Sequence, residues 1–473
     1  GSKVPAIVNA NMGYVSGTTD AGQPHYQDPS FAFLSTGAVN LEGMRDMASR
    51  AMFEQAVKTR ALADAFYGRR AKFAYYDGHS QGGRQGLKVA QERPELYDGY
   101  LIAQPAVSVS RFGLAGLWPQ VVMKNDLGIT AANTEAAAAF ARKVGAATAR
   151  AVASCDKEGV GFLLNPFGCA YDPLRDAGAL CLGVPGEGVT GTGGDLGVCM
   201  SAREAVAVNK IWYGPTTDGS YDPAQTADGR SGKVLGPKQL WWGFTRGSSI
   251  TGGITKVSGS DMLALVMQDV RYAADPALAS GIAITNTSTA ARNRWQDLTY
   301  ASYAEAFRMV PERPFLREYL TDSADLSRFH GQGRKMILWN GLAEDSIPPS
   351  GAVNYYERVK AGVGGEAQVQ SFLRMYNIPA MAHSSQGRAW TVGGNNNAVP
   401  MPALPGNGNQ TPTREKDPLF SALVDWVESG TAPGDMVTAS RDGTASLPIC
   451  VYPKQVTWNG TGSAKAEASY SCR

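Results

Sequence analysis

The clearest chemical motif of the sequence is Gly78-His79-Ser80-Gln81-Gly82, which matches the pattern G-x-S-x-G. A short apolar segment, Phe73-Ala74-Tyr75-Tyr76-Asp77, precedes it, and a helical pattern follows over 85–91. In a sharp strand-to-helix turn of this kind the serine has a strained backbone and an exposed hydroxyl, and glycines two positions to either side prevent collisions. The context therefore predicts that Ser80 is a nucleophile. The alternative is a glycine-rich turn with an incidental serine.

A serine hydroxyl is a weak nucleophile at neutral pH, so it needs a histidine base and an acid that orients the histidine. The sequence has four histidines. His79 adjoins the serine and is expected to point away from it, and neither His25 nor His330 follows a late strand. His383 lies on a loop after the last strand pattern, which is where a serine hydrolase with this alternation of strands and helices carries its base. His383 is therefore the predicted base, although a lone histidine is more often a surface or packed residue.

Two carboxylates compete for the role of the acid. Glu344 and Asp345 both lie in the loop 340–349, directly after a strand pattern that ends at Trp339. The chain order serine, acid, histidine is that of the α/β-hydrolases. The pattern predicts that one of the two carboxylates orients His383, the alternative being that both are solvated loop charges.

Strand and helix patterns alternate around these residues, as a parallel sheet of an α/β fold requires. The predicted strands are Gly13–Asp20, Phe73–Asp77, Tyr100–Ala103, Lys335–Trp339 and Gln368–Tyr376. The predicted helices are Met44–Tyr67, which Gly68 ends, Gln85–Gln91, Tyr355–Val363 and Pro418–Glu428. The alternation stops between residues 110 and 330, which indicates an inserted domain. We therefore predict a core formed by 1–109 and 331–473, with a lid domain at 110–330.

Composition narrows the class of protein. The 473 residues carry a formal net charge of +2, with 43% hydrophobic and 18% charged residues, which fits a globular chain. We find no run of like charges that could follow a phosphate backbone, so no nucleic-acid partner is expected. No apolar stretch approaches the ~18 residues of a membrane span, so no membrane partner is expected either.

Six cysteines occur without a C-x-x-C pair: Cys155, Cys169, Cys181, Cys199, Cys450 and Cys472. An even number in this arrangement argues against a metal cluster or a thiol redox motif and favours disulfides. Disulfides persist in oxidising compartments, so we expect a secreted or periplasmic protein. The residues alone leave the pairing open.

Together these segments resemble the tannase and feruloyl esterase family, which includes the mono(2-hydroxyethyl) terephthalate hydrolases. The matching stretches cover most of the chain and are Gly78–Arg84, Pro94–Gly99 with Pro105-Ala106, Ser260–Met262, the Glu344 loop, the His383 loop and Cys450–Cys472. The resemblance implies an α/β-hydrolase core with a large lid, and a serine carboxylesterase that acts on small aromatic acid esters without a cofactor. It also gives the acid role to Glu344, with Asp345 as the alternative, and favours the disulfides Cys155–Cys169, Cys181–Cys199 and Cys450–Cys472.

The implied mechanism assigns each residue a step. Ser80 attacks the ester carbonyl, His383 transfers the proton, and the backbone N–H of Gln81 helps to hold the oxyanion. Three lid aromatics are candidates for lining the substrate pocket: Trp241, Trp242 and Phe244. The alternatives are a serine peptidase or amidase on the same fold, and a non-catalytic binding protein of the family.

The sequence departs from the family pattern in three places. Family members carry a cysteine directly before the nucleophile and another directly after the histidine, where this chain has His79 and Ser384. The usual aspartate acid is replaced by Glu344. The calcium loop of the family is one residue short here, and Phe162 stands where a carboxylate is expected, so we expect no bound metal ion.

A second oxyanion donor is expected outside the sequence. In the family it belongs to a glycine-rich loop that precedes the strand predicted at Tyr14–Asp20, and Gly1-Ser2 looks similar to the end of that loop. We therefore expect the active enzyme to include a further N-terminal segment of the same protein, with the first core strands and this donor.

Overall fold

A four-stranded parallel sheet forms the centre of the computed structural model, which describes residues 10, 13–23, 29–222, 234–280, 283–285, 287, 292–383, 418–439 and 446–473. The strands are β1 (Tyr75–His79), β2 (Gly99–Ala103), β3 (Lys335–Gly341) and β4 (Leu373–Ile378), in this spatial order. All three pairings are parallel. The carboxyl ends of the strands therefore meet at one edge of the sheet.

Helices surround the sheet and fill the segment between β2 and β3. In chain order they are α1 (Leu41–Arg45), α2 (Ala51–Tyr67), α3 (Gln81–Glu92), α4 (Val109–Ala115), α5 (Trp118–Val122), α6 (Thr134–Cys155), α7 (Ala202–Tyr213), α8 (Gly252–Thr255), α9 (Ser260–Met267), α10 (Tyr300–Met309), α11 (Pro314–Tyr319), α12 (Ser327–Gly331), α13 (Ser350–Gly362), α14 (Glu366–Gln370) and α15 (Pro418–Ser429). A π-helical turn, Asp46–Arg50, joins α1 to α2, and α2 ends at Gly68 as predicted. Among the described residues no helix combines the length and hydropathy needed to cross a bilayer.

Side chains of the central strands alternate between two buried layers. Tyr100 and Ile102 of β2 pack in one layer with apolar residues of α3 and α13. Leu101 and Ala103 point the other way and pack in a second layer with Leu423 and its neighbours on α15. Because both faces are covered, the strands can be apolar at nearly every position, which is why β2 and β3 are recognisable in the sequence.

The region between β2 and β3 has a hydrophobic core of its own. Its buried members include Trp118, Trp212 and Trp295. Met44 of α1 and Met47 of the π-helical turn pack into the same core, so residues from the first part of the chain contribute to it. The predicted lid boundaries at 110 and 330 stay a prediction.

The C-terminal tail covers the outer edge of β4. It forms two antiparallel pairs, β5 (Met436–Ala439) with β6 (Ser446–Ile449), and β7 (Val456–Trp458) with β8 (Tyr470–Cys472). Between these pairs the N–H of Tyr452 donates to the carbonyl of Met375 at 2.8 Å, and Val451 bridges to Tyr376. An exposed strand edge invites unwanted pairing, and this contact occupies part of it.

All six cysteines are paired. The disulfides are Cys155–Cys169, Cys181–Cys199 and Cys450–Cys472, which join residues 14, 18 and 22 positions apart. These are the three predicted pairs. The first two lie between β2 and β3 in the chain, and the third closes the tail.

The segment Gly13–Asp20 is not a strand, so that prediction is wrong. A β-strand persists only where a neighbouring strand takes up its backbone hydrogen bonds. In the part of the chain that the structure describes, the sheet ends at β1 and no strand pairs with this segment.

Other elements have the predicted type but different bounds. β1 begins two residues later than predicted, because the N–H of Ala74 donates to the carboxylate of Asp98 at 2.9 Å and not to a strand neighbour. The strand predicted from Gln368 is wrong in its first part, where α14 follows the turn at Gly365. Helix α3 begins at Gln81, directly after Ser80 and four residues earlier than predicted.

Candidate active site

Three strands of the sheet deliver the predicted chemical residues to one place. Ser80 directly follows β1, Glu344 lies three residues after β3, and His383 lies five residues after β4. Because the strands are parallel, all three residues belong to the carboxyl edge of the sheet. The structure therefore brings together residues that are 303 positions apart in the chain.

The turn after β1 has the strained geometry that the motif predicts. Ser80 has φ 61° and ψ −118°, and its N–H donates to the carbonyl of Ala103 at 2.9 Å. A Cβ at Gly78 would lie 2.5 Å from the carbonyl oxygen of Gly82, so only glycine fits at 78. A Cβ at Gly82 itself would meet nothing within 4 Å, so the steric role predicted for Gly82 is wrong. That role falls to Gly83, whose Cβ would lie 2.7 Å from the carbonyl oxygen of Ala103.

A continuous chain of hydrogen bonds joins the three side chains. Nε2 of His383 lies 2.8 Å from Oγ of Ser80, and Nδ1 of His383 lies 2.9 Å from Oε2 of Glu344. Glu344 is 1% exposed, and its Oε1 accepts from the backbone N–H groups of Ser346 and Ile347 at 2.7 and 2.9 Å. The carboxylate is therefore buried, satisfied and fixed in direction towards the imidazole.

Asp345, the alternative acid, contacts the histidine at a different atom. Its Oδ1 accepts from the backbone N–H of His383 at 3.2 Å. Asp345 thus holds the main chain of the histidine loop, whereas Glu344 contacts the ring. The residues alone left the two carboxylates equivalent, because both lie on one loop, and only the family resemblance favoured Glu344 as the acid.

Opposing effects act on the pKa of His383. Burial lowers it, but the carboxylate of Glu344 and the charge of Asp345 raise it, and the net pKa lies above the ordinary histidine value. Both carboxylates favour the imidazolium ion. The site therefore stabilises the protonated form that a general base must adopt.

Gln81 occupies the first position of α3. The first N–H groups of a helix have no carbonyl partner within that helix, which leaves the backbone N–H of Gln81 suited to an anionic oxygen. Its side-chain amide donates to the hydroxyl of Tyr319 at 2.8 Å. The oxyanion role of Gln81 stays a prediction.

A cavity of about 1800 Å³ opens beside these residues. Ser80 and His383 line it together with the aromatic rings of Phe112, Phe244 and Tyr319. Its lining combines aromatic rings with polar groups, which suits an organic substrate with an aromatic part.

Of the three lid aromatics predicted to line this cavity, only Phe244 does so. Trp241 and Trp242 are each 6% exposed and pack into the hydrophobic core of the region between β2 and β3. Their prediction as cavity residues is wrong, because adjacent large aromatics more often form core than surface.

His79 and Gln104 also contact this site, and sequence reasoning did not identify their contact. Nε2 of His79 lies 2.7 Å from Oε1 of Gln104, and Nε2 of Gln104 donates to the carbonyl of Ala382 at 3.1 Å. Burial and the neighbouring His383 lower the pKa of His79 to about 4. The only sequence signal for Gln104 is its place directly after a buried strand.

The loop predicted to lack calcium is held by its own hydrogen bonds, and the absence of an ion there stays a prediction. The carboxylate of Asp156 accepts from the backbone N–H groups of Val160 and Gly161, at 3.0 and 2.6 Å, and so closes the loop on itself. Phe162 is 5% exposed and packs against the C-terminal tail. Across the described residues no three His, Cys, Asp or Glu side chains converge as a metal site would require.

The fold and the placement of these side chains define an α/β-hydrolase: a serine on a strained strand-to-helix turn, followed in the chain by an acid and a histidine after later strands of the same parallel sheet. The chain belongs to the tannase and feruloyl esterase family, whose sequence profile, described as "Tannase and feruloyl esterase", matches residues 3–473. It is therefore a member of a family of carboxylic ester hydrolases.

Individual relatives agree with this assignment. The chain is 27% identical over 478 residues to a probable feruloyl esterase of Arthroderma benhamiae, covering 97% of this chain and 75% of that protein. It is 23% identical over 499 residues to a mono(2-hydroxyethyl) terephthalate hydrolase of Piscinibacter sakaiensis, covering 100% of this chain and 75% of that protein.

Solved structures show the same fold. Feruloyl esterase B from Aspergillus oryzae superimposes with a TM-score of 0.67 at 20% identity, covering 92% of this chain and 76% of that structure. Tannin acyl hydrolase from Aspergillus niger superimposes with a TM-score of 0.66 at 19% identity, covering 96% of this chain and 74% of that structure. At such identities the likeness is evidence for the fold alone.

Proposed function

We propose that this protein is a serine carboxylesterase that hydrolyses small esters of aromatic acids through an acyl-enzyme. The observation that carries the proposal is the hydrogen-bonded chain from Ser80 through His383 to the buried Glu344. Both contacts of the imidazole lie at 2.8–2.9 Å, within the range that proton transfer and ring orientation require.

The proposed reaction has two halves. Ser80 Oγ attacks the ester carbonyl while Nε2 of His383 takes its proton, and the backbone N–H of Gln81 stabilises the oxyanion. His383 then gives the proton to the departing alcohol, and the acyl group stays on Ser80. In the second half His383 removes a proton from water, the resulting hydroxide attacks the acyl carbonyl, and Ser80 recovers its proton as the acid leaves.

Two observations support an aromatic acid as the acyl part. Phe112, Phe244 and Tyr319 line the cavity beside Ser80, and apolar rings of this kind bind a flat acyl group. Relatives of this chain are named probable feruloyl esterase and mono(2-hydroxyethyl) terephthalate hydrolase, and both names specify esters of an aromatic acid. A panel of hydroxycinnamate, gallate and terephthalate monoesters will rank the candidates.

Replacement of the nucleophile and the base tests the proposal. We expect Ser80→Ala and His383→Ala each to lower kcat by roughly 10⁴ or more, because such residues act as a unit. A fluorophosphonate probe should label the wild type and not Ser80→Ala. His330→Ala is the matched control, since His330 is exposed and stacks on Phe372. Full activity of Ser80→Ala, or folded protein whose Ser80 stays unlabelled, contradicts the proposal.

The same triad could also cleave amides, so the leaving group needs its own measurement. We expect a matched ester to turn over much faster than the anilide of the same acid, because an alkoxide leaves more readily than an amine anion. Faster cleavage of the anilide would assign the protein to the amidases instead.

We further propose that the protein works in an oxidising compartment, either outside the cell or in the periplasm. Three disulfides support this location, because the cytosol keeps most thiols reduced. Fractionation of the native host followed by activity assay tests it.

A further inference from the structure

We propose that the side chains of His79 and Gln104 position the general base relative to the nucleophile. This inference rests on the proposed function. His79 directly precedes Ser80, and Ala382 directly precedes His383. Gln104 directly follows β2. Its side-chain amide hydrogen bonds to the ring of His79 at 2.7 Å and to the carbonyl of Ala382 at 3.1 Å. We call this connection the His79–Gln104 link.

The hydrogen bonds fix the direction of both side chains. The carbonyl of Ala382 can only accept, so the amide nitrogen of Gln104 faces it and the amide oxygen faces His79. That oxygen in turn requires a proton on Nε2 of His79. The amide oxygen and the amide nitrogen of Gln104 thus each have a partner, and Gln104 is only 2% exposed, so water cannot replace a lost contact at little cost.

The backbone around Gln104 is built for this contact. Gln104 has φ 41°, a conformation that residues other than glycine rarely adopt, and its N–H donates to the carbonyl of Trp339 at 2.8 Å. A Cβ at Gly341 would lie 2.7 Å from the amide nitrogen of Gln104, so the glycine leaves the room that the amide occupies. Strain of this kind persists where the surrounding structure enforces it.

The charge state of His79 matters for the base. The ring centres of His79 and His383 are 4.7 Å apart, so a proton on His79 would oppose the imidazolium ion that His383 forms during the reaction. The charged groups facing His383 are then Glu344 and Asp345, both of which favour that ion. His79 acts as a neutral hydrogen-bond donor with a pKa of about 4.

Removal of either side chain should loosen the histidine loop without changing the cavity. We expect Gln104→Ala and His79→Phe each to lower kcat by about 10–100-fold while KM changes by less than about 3-fold. His79→Phe keeps a ring but no donor, whereas His79→Gln places an amide donor near Nε2, so His79→Gln should retain kcat within about 3-fold. The double variant His79→Phe/Gln104→Ala should have a kcat no lower than that of the slower single variant, because the two substitutions break the same link.

The pH profile separates positioning from a general loss of structure. A looser loop weakens the contact between His383 and Glu344, so the acid limb of kcat/KM should move to lower pH in Gln104→Ala. Gln239→Ala is the matched control. Gln239 is also a buried glutamine that joins two main-chain groups, the carbonyl of Tyr213 and the N–H of Gly236, and it does not line the cavity. This variant should keep the kcat and the acid limb of the wild type.

The outcomes distinguish this inference from the proposed function. The His79–Gln104 link alone is overturned if Gln104→Ala and His79→Phe both keep the kcat and the acid limb of the wild type while Ser80→Ala is inactive. The link is also overturned if Gln104→Ala, His79→Phe and His79→Gln all lose kcat equally and the acid limb of kcat/KM does not move. An active Ser80→Ala variant overturns the proposed function and the link with it. If Gln104→Ala does not fold, His79→Phe and His79→Gln carry the comparison.

Discussion

Glu344 and Asp345 are neighbours in the chain, yet they contact His383 at different atoms. Glu344 bonds to Nδ1 of the ring, and Asp345 bonds to the backbone N–H. Only a group in contact with the ring can hold its tautomer and direct Nε2 at the nucleophile. The two carboxylates should therefore respond very differently to the loss of their charge.

We predict that Glu344→Gln lowers kcat by roughly 10³–10⁴, because the amide cannot hold the same tautomer, while Asp345→Asn lowers it by less than about 10-fold. Both substitutions keep the size of the side chain, so each serves as the control for the other. Steady-state kinetics on one ester measures the ranking. The reverse ranking would transfer the acid role to Asp345.

The pH dependence of the reaction follows from the raised pKa of His383. The base must be neutral to accept a proton, so kcat/KM should fall as the pH drops through that pKa, which lies above the ordinary ~6.5. Asp345→Asn removes a negative charge that raises this pKa, and the acid limb should move to lower pH. A pH–rate profile of both proteins checks the sign, and an acid limb below the ordinary value, or an upward move in the variant, contradicts it.

At the scale of elements, two glycines flank the turn at Ser80, Gly78 at the end of β1 and Gly82 at the start of α3, and their positions differ in steric room. The position of Gly78 is enclosed by main-chain atoms of Gly82, which cannot move without displacing α3. The position of Gly82 is open. The G-x-S-x-G pattern alone treats the two glycines as equivalent.

We predict that Gly78→Ala lowers the free energy of unfolding by about 1–3 kcal/mol and abolishes most activity, because the added methyl group forces the turn apart. Gly82→Ala should leave the free energy of unfolding unchanged or raise it by up to about 1 kcal/mol, since alanine favours the helix. Denaturant unfolding of both variants measures the difference. Equal destabilisation by the two substitutions would show that the turn relaxes in another way.

Strands buried on both faces were predictable from the sequence, and so was the site that they carry. β2 and β3 have apolar side chains towards both helical layers, and Ser80 and His383 follow the strands on which the motif and the chain order place them. The false strand Gly13–Asp20 shows the limit of local patterns, because strand formation depends on a partner that is distant in sequence. Gln104 was beyond prediction for a related reason: its amide acquires a role only when β2 lies between β1 and β3.

At the scale of the whole molecule, the C-terminal tail and the region between β2 and β3 meet near the loop that carries His383. Phe162, from the region between β2 and β3, packs in one hydrophobic cluster with Ala380, Leu447, Cys450 and Tyr470. Ala380 lies three residues before His383. The disulfide Cys450–Cys472 thus closes a segment that supports the base, whereas Cys181–Cys199 has no member in this cluster.

We predict that removing either disulfide lowers the free energy of unfolding by about 3 kcal/mol, since each closes a loop of similar length in the unfolded chain. Their effects on catalysis should differ. Cys450→Ala/Cys472→Ala should also lower kcat, because a loosened tail no longer supports the cluster beside Ala380, while Cys181→Ala/Cys199→Ala should keep the kcat of the wild type. Denaturant unfolding and kinetics on the two double variants, at a temperature where both are folded, measure this. Equal kcat in the two would mean that the tail stabilises the fold without positioning the base.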